Sequence, residues 1–149
     1  LVTFKIENEE FGINILKVQE INRMMNITNI PKTSEFVKGV INLRGKIIPV
    51  LDLRRKLGFP EKPYDKSTKI IVVECNGFIM GFIVDSVSEV LRLPKSTVER
   101  PPEAIVSGIS SEFIEGIGKF NEKIFVLLNL DKLFSGGETL EKQSIEDYS

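Results

Sequence analysis

The chain has 149 residues, 42% of them hydrophobic, and 20 Lys and Arg stand against 21 Asp and Glu for a net charge of −1. This apolar content is enough to build a core and excludes a disordered chain, while the balanced charge argues against a nucleic-acid binder. Histidine is absent and Cys75 is the one cysteine, which excludes Ser-His and Cys-His nucleophiles, multi-cysteine metal sites and an internal disulfide.

Short strands dominate the chain from its start. Val2, Phe4 and Ile6 alternate with Thr3, Lys5 and Glu7, the period of a strand with one buried face. Asn8-Glu9-Glu10 reads as a turn and residues 11–15 as a second strand, and Ile15, Val18, Gln19 and Ile21 have spacings nearer a helical turn. Residues 40–43 and 46–51 are apolar runs joined by Arg44-Gly45, a hairpin signal. Pro49 has no ladder donor and is expected at an edge or bulge. Residues 52–57 form a short helical candidate ended by Gly58 and Pro60. Residues 70–74 and 78–84 flank Asn76-Gly77, which favours the positive φ angles of a tight hairpin. Cys75, at the end of an apolar run, is expected to be a small buried residue. Arg100-Pro101-Pro102 marks a break, residues 113–120 and 123–130 form a further hairpin around Asn121-Glu122, and residues 135–149 read as a polar, loose tail. No run approaches the roughly 18 apolar residues of a membrane span, and the opening residues lack a signal-peptide pattern, so the expected location is cytoplasmic.

The chain also repeats itself. Residues 11–21 (FGINILKVQEI) lie over residues 80–90 (MGFIVDSVSEV) without a gap, with Gly, Val and Glu at equal offsets. Residues 34–39 (SEFVKG) lie over 111–116 (SEFIEG), and 46–53 (KIIPVLDL) over 123–130 (KIFVLLNL). Two like-ordered copies imply two similar β units of about five strands, each too small to be secure alone and therefore packed on the other. A junction between such units makes a groove for a ligand or partner segment.

A search for chemistry finds little. No P-loop pattern is present, Glu9-Glu10 and Glu146-Asp147 lie in turn or tail contexts, and Asp52 and Asp85 follow apolar runs as structural caps or interface groups. Without tryptophan, and with most phenylalanines in strand patterns, a small-barrel nucleic-acid or ligand-binding module is the weaker alternative to a protein-docking platform. The copies differ at one hairpin tip: the first has Asn42-Leu43-Arg44-Gly45 where the second has Lys119-Phe120-Asn121-Glu122. The barrel architecture therefore does not dictate Arg44. Periodicity alone reads it as a solvated tip, though an arginine there can bind a carboxylate through two parallel hydrogen bonds.

Residues 37–54 (VKGVINLRGKIIPVLDLR), with 11–21, 81–91 and the closing 123–133 segment, resemble the CheW family across about residues 1–134. The resemblance implies an all-β fold of two SH3-like five-stranded barrels around a shared hydrophobic core, with short helices. The expected lobes run roughly over residues 10–65 and 75–134, with terminal strands free to cross between them. It also implies a non-catalytic adaptor without a cofactor, monomeric when isolated, that binds the regulatory domain of the histidine kinase CheA and the cytoplasmic tip of methyl-accepting chemoreceptors. The polar tail favours a free-standing coupling protein over the corresponding part of CheV or of the kinase. By motif, Arg44 and Gly45 fall on the receptor-coupling surface, Val18, Glu20 and Gly39 match partner-binding positions, and Val84, Val87 and Val90 match the groove side of the second lobe. Plain core is the rival reading for each valine, and backbone conformation for Gly39.

Overall fold

The computed structural model describes residues 1–31, 36–100 and 113–134. Within them run strands β1 (Val2–Ile6), β2 (Glu9–Ile13), β3 (Val18–Arg23), β4 (Val37–Leu43), β5 (Lys46–Asp52), β6 (Lys69–Cys75), β7 (Phe78–Val84), β8 (Ser86–Val90), β9 (Val98–Glu99), β10 (Ile114–Phe120) and β11 (Lys123–Leu128). One-turn helices α1 (Leu53–Lys56) and α2 (Leu130–Leu133) come after β5 and β11, and 3-10 turns cover Ile15–Lys17 and Lys95–Thr97. The expected break at residues 101–102 and the tail from 135 lie outside the described residues.

The strands form a five-stranded sheet in the order β3-β6-β7-β5-β4 and a six-stranded one in the order β8-β1-β2-β11-β10-β9, the extra strand being the two-residue β9. The sheets do not follow the sequence copies. The β6–β7 hairpin joins β3, β4 and β5, and the β1–β2 hairpin joins β8 to β11. The exchange is made by two matching parallel contacts, Val50–Asp52 of β5 against Gly81–Ile83 of β7, and Phe11–Gly12 of β2 against Val126–Leu127 of β11. Each barrel thus borrows a hairpin from the other copy. The repeat persists in detail, since Asp52 and Asn129 cap α1 and α2. Their backbone N–H groups donate to the carbonyls of Phe36 and Phe113 at 2.8 and 2.9 Å.

Because strand side chains alternate, a borrowed strand is apolar on both faces. Ile70, Val72 and Ile83 fill the five-stranded barrel with Ile41, Leu43, Ile48 and Val50. Ile71, Val73, Phe82 and Val84, on the opposite faces, pack with Phe4, Phe11, Ile13, Leu130 and Phe134 in a core shared by both sheets. A smaller cluster of Leu91, Phe125 and Leu127 fills the second barrel. The expected buried end-of-strand Cys75 is in the shared core, and burial pushes its thiol up to about 12.

Local differences from the sequence expectations have local causes. The first turn falls at Glu7, whose φ is 56°, because Glu9 and Glu10 pair with Ile6 and Lys5. Helical spacing at residues 15–21 yields only the 3-10 turn; Val18 onward is strand because it finds β6 as a partner. Pro49 is tolerated where β5 has Val40 of β4 on one side, and the ladder to β7 begins only at Val50. No helix among the described residues is long and apolar enough to cross a membrane.

Candidate functional site

β3 and β4 lie at the two ends of the five-stranded sheet, and the barrel closes where the segment after β3 meets β4. Thr28 and Val40 exchange backbone hydrogen bonds, both 2.8 Å. A bulge between Val37 and Gly39 makes that approach possible. Gly39 has φ +156°, and a Cβ on it would lie 2.2 Å from the Thr28 carbonyl oxygen. Glycine is required here by the backbone. The second copy repeats the device, with a bulge between Ile114 and Gly116 beside β9.

Above this seam stands the β4–β5 hairpin tip. Arg44 and Gly45 have φ of 52° and 85°, both in the left-handed region, and the Gly45 N–H donates to Asn42 Oδ1 at 2.9 Å. Asn121 holds the equivalent place in the second copy with φ 50°. Asparagine suits that conformation; arginine does not, so the tip carries Arg44 against a local backbone preference. Its guanidinium reaches across the seam to β3 and holds both oxygens of Glu20, Nη1 to Oε1 at 3.2 Å and Nη2 to Oε2. Asn22 Nδ2 donates to the same Oε1 at 2.8 Å. The Arg44 bonds first, then that of Asn22, hold the Glu20 carboxyl below the usual carboxylate range. A bulge between Val18 and Glu20 sets the aim of Glu20. The arginine side chain stays 71% exposed.

The structure thus brings together Glu20, Arg44 and Gly45, with Gly39 in the seam below and Val18 half-buried at the start of β3. It does not gather the three valines of the second copy. Val84 belongs to β7 of the five-stranded sheet and is fully buried in the shared core, offering no surface. Val87, on β8 of the other sheet, packs half-buried against that core, and Val90 at the end of β8 is 63% exposed. The sequence groups Val84 with Val87 and Val90 only through its match to the family motif. In fact the chain changes sheets at Asp85, between β7 and β8.

Asp85 marks a second polar centre, which the sequence pointed to only as a cap or interface group. It accepts from Arg54 of α1, Nε to Oδ1 at 2.9 Å and Nη2 to Oδ2 at 2.7 Å. Arg54 Nη1 also donates to Glu7 Oε1 at 2.7 Å and to the Pro60 carbonyl at 2.6 Å, and the Glu7 N–H donates to Asp85 Oδ2 at 2.8 Å. The arginine side chain is only 5% exposed. Burial alone would raise the Asp85 carboxyl, but the hydrogen bonds from Arg54 and the Glu7 backbone, with the Arg54 and Lys62 charges, bring it below its ordinary value. Every nitrogen of the Arg54 guanidinium is engaged, so the cluster is structural glue between the barrels. Among the described residues no group of three His, Cys, Asp or Glu side chains is placed to hold a metal ion.

A family model described as CheW-like domain matches residues 1–138. The chain is 41% identical over 135 residues to the chemotaxis protein CheW of Klebsiella aerogenes, covering 91% of this chain and 81% of that protein. It is 35% identical over 141 residues to a probable chemotaxis protein CheW of Rhizobium etli, covering 93% and 89%. Its fold matches the crystal structure of the scaffolding protein TtCheW from Thermoanaerobacter tengcongensis with a TM-score of 0.83 at 41% identity, covering 91% of each chain.

Proposed function

The chain belongs to the CheW family and is a non-catalytic scaffold protein of chemotaxis, and from that premise we propose that it couples methyl-accepting chemoreceptors to the histidine kinase CheA in cytoplasmic signalling arrays. The observation that carries this reading is Arg44. An arginine is kept at a left-handed hairpin position where asparagine would be more comfortable, and it is aimed across a barrel seam and left mostly exposed. An ion pair so open to water contributes little to folding. Its value lies in presenting a fixed guanidinium, whose free edge can meet a carboxylate or carbonyl of a docking receptor helix. Val18, Glu20 and Gly45 complete that face, with Val87 and Val90 on the β8 side. Gly39 acts through closure of the seam and Val84 through the core.

The mechanism is coupling. The adaptor holds two partners in one geometry, and receptor state biases the kinase between its on and off conformations. The first test is an NMR titration of labelled protein with a receptor-tip fragment and, separately, with the kinase regulatory domain. Each should shift its own surface, with Glu20, Arg44 and Gly45 responding to the receptor fragment. Arg44→Asn, which gives the first hairpin the residue of the second, should leave thermal stability unchanged or slightly raised. It should weaken receptor-fragment binding by about 2 kcal/mol, roughly thirtyfold. A folded Arg44→Asn protein with wild-type affinity would remove Arg44 from the interface.

A further inference from the structure

The repeat lets the seams of the two barrels be compared residue by residue. β3 and β8 occupy matching places. Glu20 and Asn22 pair with Val72 and Ile70 of β6, just as Glu89 pairs with Thr3 of β1 and the Leu91 N–H donates to the Leu1 carbonyl at 2.8 Å. Each strand carries a bulge just before its glutamate, at residues 18–20 and 87–89. The glutamate is therefore common to both copies, but the two groups that hold it belong to the first copy alone. Arg44 has Asn121 as its counterpart, and Asn22 has Leu91. Leu91 is buried with Phe125 and Leu127 in the core of the second barrel. Asn22 stands half-buried opposite Ile70, a residue of the first barrel's own core, and makes a hydrogen bond there instead, its Nδ2 donating to Glu20 Oε1 at 2.8 Å. The first copy thus gives up apolar packing where the second copy has it, and the side chain that replaces it touches the partner of Arg44.

We infer that Asn22 is a positioning residue of the docking face: it pins Glu20 so that the Glu20 carboxylate holds the Arg44 guanidinium in one orientation. This deepens the proposed function and rests on the docking role given there to Arg44. Side chains at i and i+2 of a strand share a face, so Asn22 reaches Glu20 along β3 while Arg44 reaches it across the seam. A glutamate held by Arg44 alone can still turn about its last side-chain torsion, which is broad, and an exposed guanidinium would turn with it. The bond from Asn22 removes that freedom, because Oε1 then accepts from two directions at once. It also occupies Glu20 as an acceptor. A partner must therefore bring its own carboxylate or carbonyl to the outward N–H groups of Arg44.

Two variants of the full chain test it. Asn22→Leu gives the first barrel the residue of the second, and Asn22→Asp keeps the size of the side chain while replacing the donor with a second carboxylate. In the free protein, NMR follows rotation of the Arg44 guanidinium, whose two Nη signals are distinct while it is held and merge as it turns. Both variants should speed that rotation by about fivefold, the worth of one hydrogen bond, and weaken binding of a receptor-tip fragment by about the same factor. In an Arg44→Asn background neither should weaken binding further. Folded variants in which Arg44 turns at the wild-type rate would overturn the inference. So would losses of affinity that add to that of Arg44→Asn, since Asn22 would then meet the partner itself. Faster rotation with wild-type affinity keeps Asn22 as the residue that positions Arg44 and puts the failure on the docking role of Arg44.

Discussion

Gly39 separates two roles that the sequence left together. A methyl group there would meet the Thr28 carbonyl at 2.2 Å, whereas at the matching Gly116 it would meet the movable Val98 Cγ1 at 2.7 Å and the Glu99 carbonyl at 3.2 Å. Gly39→Ala should therefore destabilise by about 2 kcal/mol or more, and Gly116→Ala by less, in urea unfolding. Any loss of partner binding by Gly39→Ala should then track its loss of stability. Asp85 gives a pH signature. Its folded value is depressed by Arg54, so its contribution is fully present above the ordinary carboxylate range and disappears as pH falls through the lower folded value. The stability gap between wild type and Asp85→Asn should be widest at neutral pH and shrink below about pH 4, measured by denaturant titration across that range. From the sequence, Arg44 stands out because the copies differ there and because a family motif contains it. Its partner Glu20 is legible only as a motif position, since no local pattern ties a strand residue to a hairpin tip 24 positions away. Arg54 gives no signal of its own, because a charged residue after Asp-Leu resembles any solvated helix position until the fold buries it.

The hairpins are the elements most easily read, and for a physical reason: two residues determine them. Asn76-Gly77 and Asn121-Glu122 adopt left-handed φ at both positions, 53° and 81°, then 50° and 65°. That conformation matches the twist of the flanking strands. Asn76→Ala should cost about 1 kcal/mol, through the lost left-handed preference and the lost bond to the Asp131 carbonyl, with unfolding midpoint as the readout. The parallel contacts β5–β7 and β2–β11 are not legible. Nothing local distinguishes a strand that pairs with its own copy from one that pairs with the other. The ladder partners that decide the matter lie far along the chain.

For the whole molecule, the repeat announces two β units and a common core, and both are present. It does not announce that each unit contains a piece of the other. This sharpens the reason why neither copy is secure alone. A chain cut in the loop between Leu57 and Lys69 would yield an N-terminal piece lacking β6 and β7 and a C-terminal piece lacking β1 and β2. Each fragment should be unfolded by circular dichroism when separate. Mixed at equal concentration, they should recover the strand signal and a single cooperative melt. A folded N-terminal fragment on its own would show that the borrowed hairpin is dispensable.

The exchanged hairpins also impose an order on the birth of the protein at the ribosome. β1 and β2 emerge first, yet the strands that flank them, β8 and β11, are made much later, β11 being the last strand among the described residues. Until β8 is made the first hairpin has both edges open, with Phe4 and Phe11 still outside the finished shared core. Meanwhile the five-stranded barrel can close as soon as Val84 is out. Vectorial synthesis therefore lets β3 to β7 fold before β1 and β2 find their partners, and that first hairpin is the part that most needs a chaperone's cover.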